Sequence, residues 1–316
     1  VAKTEREPTR DLVTRLGALS EKFKKPVAVY VSANSEETNA LRQGLDSPIF
    51  TRIVEMFRAL KLDYEYARSA ASVASEKTFP AYEVQQGAVQ SLLATAAHER
   101  RDLLLNEALE VLERYGIPTV RGSAATTADE AVAVADSIGY PVAMKIIAEQ
   151  ISHKSDVGGV QLNLRSAGDV RATFEDMYAR LGEAFPEASL DGVMVQPMAS
   201  GGRELILGGR QDRQFGPVVL VGLGGIFVEI FEQASMRIAP ITREDALDMI
   251  EELSGAPILM GARGHKRSDI DAIIEAILRV SQLLVDFPEI QELDINPLRV
   301  FHEGEGCLAL DARIIR

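Results

Sequence analysis

The residues of this chain best suited to chemistry lie in one short segment that combines a histidine, a lysine and two glycines. Residues 151–160 read Ile-Ser-His-Lys-Ser-Asp-Val-Gly-Gly-Val and include His153, Lys154, Gly158 and Gly159. A neutral imidazole nitrogen can accept a phosphoryl group, a lysine can neutralise phosphate charge, and glycine amides approach phosphate oxygens without obstruction by a Cβ atom. The same residues also describe an ordinary surface turn, which is the interpretation that the segment favours when taken alone.

A lysine inside an apolar strand pattern is the second candidate. Lys145 interrupts the run Val-Ala-Met-Lys-Ile-Ile at 142–147, where strand alternation would turn its amine inward and require an anionic partner. A phosphate group would be such a partner. A lysine on an edge strand, where it discourages association between sheets, accounts equally well for the pattern. Both interpretations of Lys145 stay open at this level.

Two oxygen-bearing side chains near the C terminus are candidates for holding a hard cation. The segments Asp-Ile-Asn-Pro at 294–297 and Leu-Asp-Ala-Arg at 310–313 are predicted on adjoining strands, so Asn296 and Asp311 can reach one metal ion. Magnesium favours oxygen ligands together with bound phosphates. Isolated carboxylates more often cap turns or pair with arginine, an alternative that Lys145 in the same chain makes weaker.

The amino-acid composition of the chain limits the kinds of partner that it could bind and the cellular compartment in which it is expected. The 316 residues carry a formal net charge of -13, which argues against a general surface for nucleic acid or anionic membranes. One cysteine excludes an intrachain disulfide framework, and four histidines with that cysteine do not supply a Cys/His zinc cluster. No apolar run reaches transmembrane length. We therefore expect a cytoplasmic protein that binds neither nucleic acid nor membranes.

The elements that must position these residues are predicted to alternate between helix and strand. The chain divides into an incomplete α/β unit, a linker rich in Ala, Ser, Gln and Thr that carries some marginal helix, and two α/β subdomains, at 1–67, 68–97, 98–190 and 191–316. In the third segment, Thr127 and Glu130 have capping-box spacing ahead of an apolar helix. In the last segment, successive strands, including one at 226–231, are interrupted by two helices and end in a C-terminal hairpin.

Ordered motifs from about residue 108 to the C terminus resemble the ATP-grasp region of nucleoside-diphosphate-forming acyl-CoA synthetases. These are the ADP-forming acetate–CoA ligases, which are related to succinyl-CoA ligase. The motifs that carry the resemblance lie at 139–145, 151–160, 215–219, 222–229, 292–298 and 310–313. The resemblance implies an α/β (α+β) chain with an ATP-grasp fold of two subdomains, preceded by part of a succinyl-CoA-ligase-like flavodoxin domain at 1–67.

The resemblance also implies roles for individual residues. His153 would be a transient phosphoryl carrier, and Asn296 and Asp311 would bind Mg²⁺. The residues implied to contact ATP or ADP are Lys145, Lys154, Gly158, Gly159, Gln196, Met198 and Glu204. Two departures from the family pattern are Gln233, where an acidic residue is common, and Arg313, where succinyl-CoA ligases often carry lysine.

The implied reaction converts acyl-CoA, ADP and phosphate into carboxylate, CoA and ATP through an acyl phosphate and a phosphohistidine. No segment of this chain matches the CoA-binding and CoA-ligase domains, so we expect them in a longer polypeptide or in a separate subunit of an oligomer. The carboxylate and CoA would bind there. Two alternatives are a non-catalytic regulatory module of a protein acetyltransferase and a succinyl-CoA ligase β-like subunit. The acyl group and the choice between ADP and GDP stay open.

Overall fold

Two compact units make up the chain, Val1–Thr78 and Phe79–Arg316. The computed structural model describes residues 3–32, 35–43, 48–74, 78–151, 154–224, 234–264 and 266–316. No helix in these ranges is long and apolar enough to cross a membrane.

The first unit is a small α/β arrangement. Its elements are α1 (Lys3–Phe23), β1 (Val29–Tyr30), α2 (Ser35–Arg42), β2 (Ile49–Phe50) and α3 (Ile53–Ala74). The two strands pair in parallel, and Val13, Leu41 and Ile49 are buried together. The strand and the helix predicted for this part of the sequence are confirmed, although the strand is short.

The second unit contains most of the chain. Its helices are α4 (Gln86–Glu99), α5 (Leu105–Arg114), α6 (Ala128–Ile138), α7 (Ala167–Ala184), α8 (Arg243–Glu251), α9 (Ala256–Leu259) and α10 (Ile270–Asp286). Its strands are β3 (Ser123–Ala125), β4 (Val142–Ile147), β5 (Val160–Leu164), β6 (Gly192–Pro197), β7 (Arg203–Asp212), β8 (Gly216–Leu223), β9 (Ala234–Ile238), β10 (Glu292–Val300), β11 (Cys307–Ala309) and β12 (Ala312–Ile315). They form two antiparallel sheets.

The smaller sheet has four strands in the order β3-β6-β4-β5. Helices α6 and α7 share a core with it that buries Val142, Met144 and Ile146. Because side chains alternate along a strand, Ala143 and Lys145 point to the opposite face. The predicted capping box starts α6, since Thr127 Oγ1 accepts from the Glu130 amide at 3.2 Å and the Glu130 carboxylate accepts in return.

The larger sheet has the order β11-β10-β7-β8-β9, and β12 also pairs with β10. Helix α10 packs against β7 and β8. The core on this side of the sheet includes Leu205, Leu207 and Leu293. Strand alternation places Glu204 and Asp294 on the other face, away from this core.

The linker and the border between the two subdomains differ from their predicted positions. The marginal helix expected in the linker at 68–97 is a full helix, α4, which runs two residues past that segment and belongs to the second unit, because Val89, Leu93 and Ala96 are spaced as on one helical face and are buried in the core of the larger sheet. Strand β6 was expected to open the second subdomain, but it pairs with β3 and β4 and so belongs to the smaller sheet. The strand predicted at 226–231 lies outside the described residues.

Candidate functional site

Lys145 is a buried cation that connects the two sheets. It lies on β4, which is an inner strand between β6 and β5, so the edge-strand interpretation is wrong. The residue is 6% exposed. Its Nζ donates hydrogen bonds to the carbonyl oxygen of Leu310 at 2.6 Å and to Oδ2 of Asp311 at 2.8 Å. The predicted inward-facing lysine is confirmed, and its anionic partner in the described structure is the Asp311 carboxylate.

Asn296 and Asp311 lie next to each other as predicted, although Asp311 lies in the connection between β11 and β12 rather than on a strand. The backbone amide of Asn296 donates a hydrogen bond to the backbone carbonyl oxygen of Asp311 at 3.3 Å. The pairing of β10 with β7 shifts register at this point, an irregularity that re-aims side chains out of the regular pleat. Two cavities meet here, because Ser155, Asn296 and Asp311 line both of them.

The first of these, the charged cavity, has a volume of about 260 Å³. Its lining includes two cations, Lys154 and Arg313, and three carboxylates, Asp156, Asp294 and Asp311. A lining with charges of both signs suits a ligand that itself combines anionic phosphates with a divalent cation.

Lys154 is a cation of this cavity that is partly removed from solvent. Burial lowers the pKa of Lys154, the negative charge of Asp311 opposes that shift, and the positive charges of Lys145 and Arg313 add to it. An anion that enters beside these three cations would favour the protonated amine again. The arrangement is thus one in which a bound anion would relieve the repulsion among these cations.

The oxygen donors of the site fit magnesium. Asn296 and Asp311 supply an amide and a carboxylate oxygen at the junction of the two cavities. No group of three or more His, Cys, Asp or Glu side chains that could hold a metal occurs in the part of the chain that the structure describes. A magnesium ion would thus need phosphate oxygens and water to complete its coordination, which is its usual behaviour in nucleotide sites.

The second cavity, called here the apolar-walled cavity, has a volume of about 230 Å³. Val120, Ala143, Val160, Leu162, Met198 and Leu310 are among the apolar residues that line it. Its polar residues are Lys145, Ser155, Gln196, Glu204, Asn296, Arg299 and Asp311. Gln196 is 2% exposed, and its Nε2 has no hydrogen-bond partner. The predicted residues Gln196, Met198 and Glu204 thus lie around one cavity, next to Lys145.

Arg299 is a residue of this cavity that the sequence analysis missed. It pairs with Glu204 across β10 and β7, where the two residues are directly opposite each other. Its guanidinium also donates to the Gly201 carbonyl oxygen at 2.9 Å. No distinct local signal marks Arg299, because a charged residue between Leu298 and Val300 is normal in an alternating strand with one buried face.

Gly158 and Gly159 shape the turn before β5 but line neither cavity. The Gly158 amide donates to the Ser155 carbonyl oxygen at 3.2 Å, and the Gly159 amide donates to that of Lys154 at 2.6 Å. The predicted contact between these amides and phosphate therefore finds no support in the structure, because both amides already have partners inside the turn. The turn places Lys154 and Ser155 in the lining of the charged cavity.

His153 and Gln233 lie outside the described residues. The role of His153 as phosphoryl carrier stays a prediction, and so does the effect of Gln233. The next residue after His153, Lys154, lines the charged cavity.

A family model described as an ATP-grasp domain matches residues 94–315. The β subunit of ADP-forming acetate–CoA ligase I from Pyrococcus furiosus is 45% identical over 226 residues, which cover 72% of this chain and 97% of that subunit. ADP-forming acetate–CoA ligase I from Archaeoglobus fulgidus is 36% identical over 298 residues, which cover 94% of this chain and 43% of that protein.

Solved structures agree with these relatives. PH1788 from Pyrococcus horikoshii matches with a TM-score of 0.70 at 39% identity, covering 73% of this chain and 98% of that one. Acetyl-coenzyme A synthetase 1 from Ca. Korarchaeum cryptofilum, in complex with coenzyme A and Mg-AMPPCP, matches with a TM-score of 0.62 at 39% identity, covering 72% of this chain and 99% of that one. Its phosphohistidine segment points towards the nucleotide-binding site.

Two sheets that meet at a buried lysine and a pair of oxygen donors, with the family match, define an ATP-grasp protein. The fold and the resemblance predicted from the sequence are both confirmed. The chain belongs to the family of ADP-forming acetate–CoA ligases and comprises their ATP-grasp part. It spans almost all of a β subunit of this family and less than half of a single-chain relative.

Proposed function

We propose that this chain binds ADP or ATP with Mg²⁺ and exchanges a phosphoryl group between the nucleotide and His153. The observation that carries the proposal is the position of Lys145 and Asp311, which are hydrogen-bonded at the junction of an apolar-walled and a charged cavity. A nucleotide has the same division, with an apolar base at one end and anionic phosphates at the other.

The residues of the two cavities then have distinct tasks. The base and ribose would occupy the apolar-walled cavity, while Lys145 and Lys154 neutralise the phosphates. Asn296 and Asp311 would hold Mg²⁺, which, when bound, neutralises phosphate charge. Catalysis in phosphoryl transfer is mostly positioning and charge stabilisation, which are the contributions that these side chains supply.

The transfer itself would form one bond and break another. A neutral nitrogen of His153 attacks the γ-phosphorus of ATP, the bond between that phosphorus and the β,γ-bridging oxygen breaks, and ADP leaves with the electron pair. In the direction of ATP synthesis, the phosphoryl group returns from the histidine to ADP. Lys154 follows His153 directly and lines the charged cavity, which supports the placement of the carrier at this site.

The carboxylate and CoA would be handled outside this chain. The P. furiosus relative is a β subunit and the A. fulgidus relative is a longer chain, so a CoA-ligase part can be separate or fused. We propose that this chain works in a complex with such a part and receives the phosphoryl group from it.

The carrier role can be tested by labelling. We expect γ-labelled ATP with Mg²⁺ to give an acid-labile, base-stable phosphohistidine in the full chain, and His153→Ala to abolish it. His98→Ala, at an exposed position of α4, is the matched control and should keep the label. A His153→Ala protein that is still labelled on histidine would disprove the carrier role.

A further inference from the structure

An arginine on helix α7 holds the turn that carries Lys154. Arg180 donates from Nη1 to the carbonyl oxygen of Val157 at 3.5 Å and from Nη2 to that of Gly158 at 3.3 Å. Helix α7 packs on the core face of the smaller sheet, whereas Lys145 points to the other face. One side chain therefore links the helix behind the sheet to the turn that lines the charged cavity.

The guanidinium of Arg180 is oriented by a carboxylate on its own helix. Its Nε donates to Oδ2 of Asp176, one turn earlier on α7, at 2.9 Å. Because a guanidinium is planar, a partner at Nε fixes the directions in which the two terminal nitrogens can donate. The side chain of Arg180 is 43% exposed, so solvent weakens its ion pair with Asp176. We therefore expect Arg180 to fix the position of the turn more than to stabilise the fold.

Gly158 is in close contact with this guanidinium. A Cβ atom on Gly158 would lie 2.6 Å from Nη1 of Arg180, so the guanidinium occupies the space that a larger side chain would need. From Gly158 the path to Lys154 is short, because the Gly158 amide donates to Ser155 and the Gly159 amide donates to Lys154. A backbone amide of β4 donates to the Gly159 carbonyl oxygen at 2.8 Å. Arg180 and β4 thus hold the turn from two sides.

We propose that Arg180 is a positioning residue for phosphoryl transfer, an inference that rests on the carrier role proposed above for His153. By holding Val157 and Gly158, Arg180 fixes the backbone that places Lys154 in the charged cavity and continues to His153. Arg180 lines neither cavity, so it acts through the turn and not by contact with the nucleotide. A displacement of about 1 Å at a reacting centre can lower a rate about a hundredfold. Loss of Arg180 should therefore slow the transfer more than it weakens nucleotide binding.

The test is the rate at which γ-labelled ATP with Mg²⁺ labels His153 in the full chain, measured over a range of ATP concentrations. Arg180→Met keeps the length of the side chain without its donors. We expect its rate at saturating ATP to fall about tenfold, with the half-saturating concentration within about twofold of wild type. Arg180→Lys keeps a charged donor and should recover part of the rate. Arg171→Met removes another exposed arginine of α7, paired with Asp129, and should behave as wild type.

A second measurement follows the turn without the histidine reaction. Hydrogen exchange read by mass spectrometry on the peptide that contains residues 154–160 reports how often the amides of Gly158 and Gly159 open. We expect exchange in this peptide to be about tenfold faster in Arg180→Met than in wild type, because the turn has lost one of its two supports. Exchange in Arg171→Met should be unchanged. Circular dichroism establishes that each variant is folded.

The outcomes separate the two proposals. If folded Arg180→Met transfers at the wild-type rate, or if its half-saturating concentration rises as much as its rate falls, Arg180 does not position the transfer. Unchanged exchange in the turn would show that Arg180 does not hold it. If wild type carries no label on His153 while exchange in the turn still depends on Arg180, the function proposed above is wrong and the positioning of Lys154 stands.

Discussion

At the scale of single residues, the positive charge of Lys145 is neutralised within the site by the negative charge of Asp311. The Lys145 ammonium and the Asp311 carboxylate are hydrogen-bonded at 2.8 Å, although each is proposed to hold a different part of Mg-ADP. An unpaired buried charge is costly, which explains why the two groups contact each other. A phosphate that approaches Lys145 is repelled by Asp311 unless a cation takes over that carboxylate. Phosphate and magnesium are therefore expected to bind cooperatively.

The substitution Asp311→Asn should distinguish the repulsion of phosphate by Asp311 from the binding of Mg²⁺ by the same carboxylate. Without the carboxylate charge, ADP in the presence of EDTA should bind more tightly than to wild type, by about tenfold, while added Mg²⁺ should increase the affinity less. Titration calorimetry with and without Mg²⁺ measures both. Asp63→Asn, at an exposed position on α3, is the control. Weaker binding of metal-free ADP to Asp311→Asn would contradict the proposed competition.

Individual site residues were predictable where their chemistry conflicts with their surroundings. A lysine in an apolar strand identified Lys145, and Asn296 and Asp311 were found as oxygen donors on neighbouring strands. The partner of Lys145 was not predictable as Asp311, because that contact joins two sheets and leaves no local pattern. Arg299 was missed for the same reason, since its pairing with Glu204 depends on the register of two distant strands.

At the scale of elements, the turn before β5 has a stricter backbone requirement than its sequence suggested. Gly158 has a φ of 71°, in the left-handed region that other residues adopt only with strain. A Cβ atom on Gly159 would lie 2.8 Å from the Ile146 side chain. The glycines thus serve the geometry of the turn that positions Lys154, and their contact with phosphate stays a prediction.

Gly158→Ala should therefore reduce both stability and binding. We expect the free energy of unfolding to fall by about 1–2 kcal/mol, the cost of a left-handed conformation for a residue with a Cβ atom. Urea denaturation measures this, and calorimetry should show weaker Mg-ADP binding as Lys154 shifts. Gly182→Ala, in helix α7 with nothing near its added Cβ, should stabilise the chain by about 0.5–1 kcal/mol. Equal stability of the two variants would argue against backbone strain at Gly158.

The prediction of elements succeeded where local signals are strong and failed where they are not. The capping box formed by Thr127 and Glu130 correctly predicts the start of α6. Helix α4 was predicted only as marginal helix within a linker, because alanine, serine and threonine obscure the helical spacing of Val89 and Leu93. The assignment of β6 to a sheet was wrong because pairing depends on which strands meet in space, and the sequence of one strand does not contain that information.

At the scale of the whole molecule, the net charge of -13 contrasts with a site that gathers Lys145, Lys154 and Arg313. An acidic chain repels polyanions in general, so these cations would attract phosphate locally, against the overall charge. All residues that line the two cavities belong to the second unit, Phe79–Arg316.

A chain that begins at Phe79 should bind Mg-ADP as tightly as the full chain. The P. furiosus β subunit supports this expectation, because it matches over 226 residues that make up 97% of its length. Circular dichroism would establish that the shortened chain is folded, and calorimetry would compare the two affinities. A folded second unit that binds Mg-ADP much more weakly than the full chain would show that the first unit contributes to the site.

The hydrogen bond from Lys145 to the carbonyl oxygen of Leu310 joins the two sheets directly. It ties β4 of the smaller sheet to the loop between β11 and β12 of the larger one. A phosphate that draws the Lys145 amine towards itself would loosen this tie as well as the one to Asp311. The proposed nucleotide binding would then weaken the contact between the two sheets, so the position of the smaller sheet against the connection between β11 and β12 is expected to depend on whether the site is filled.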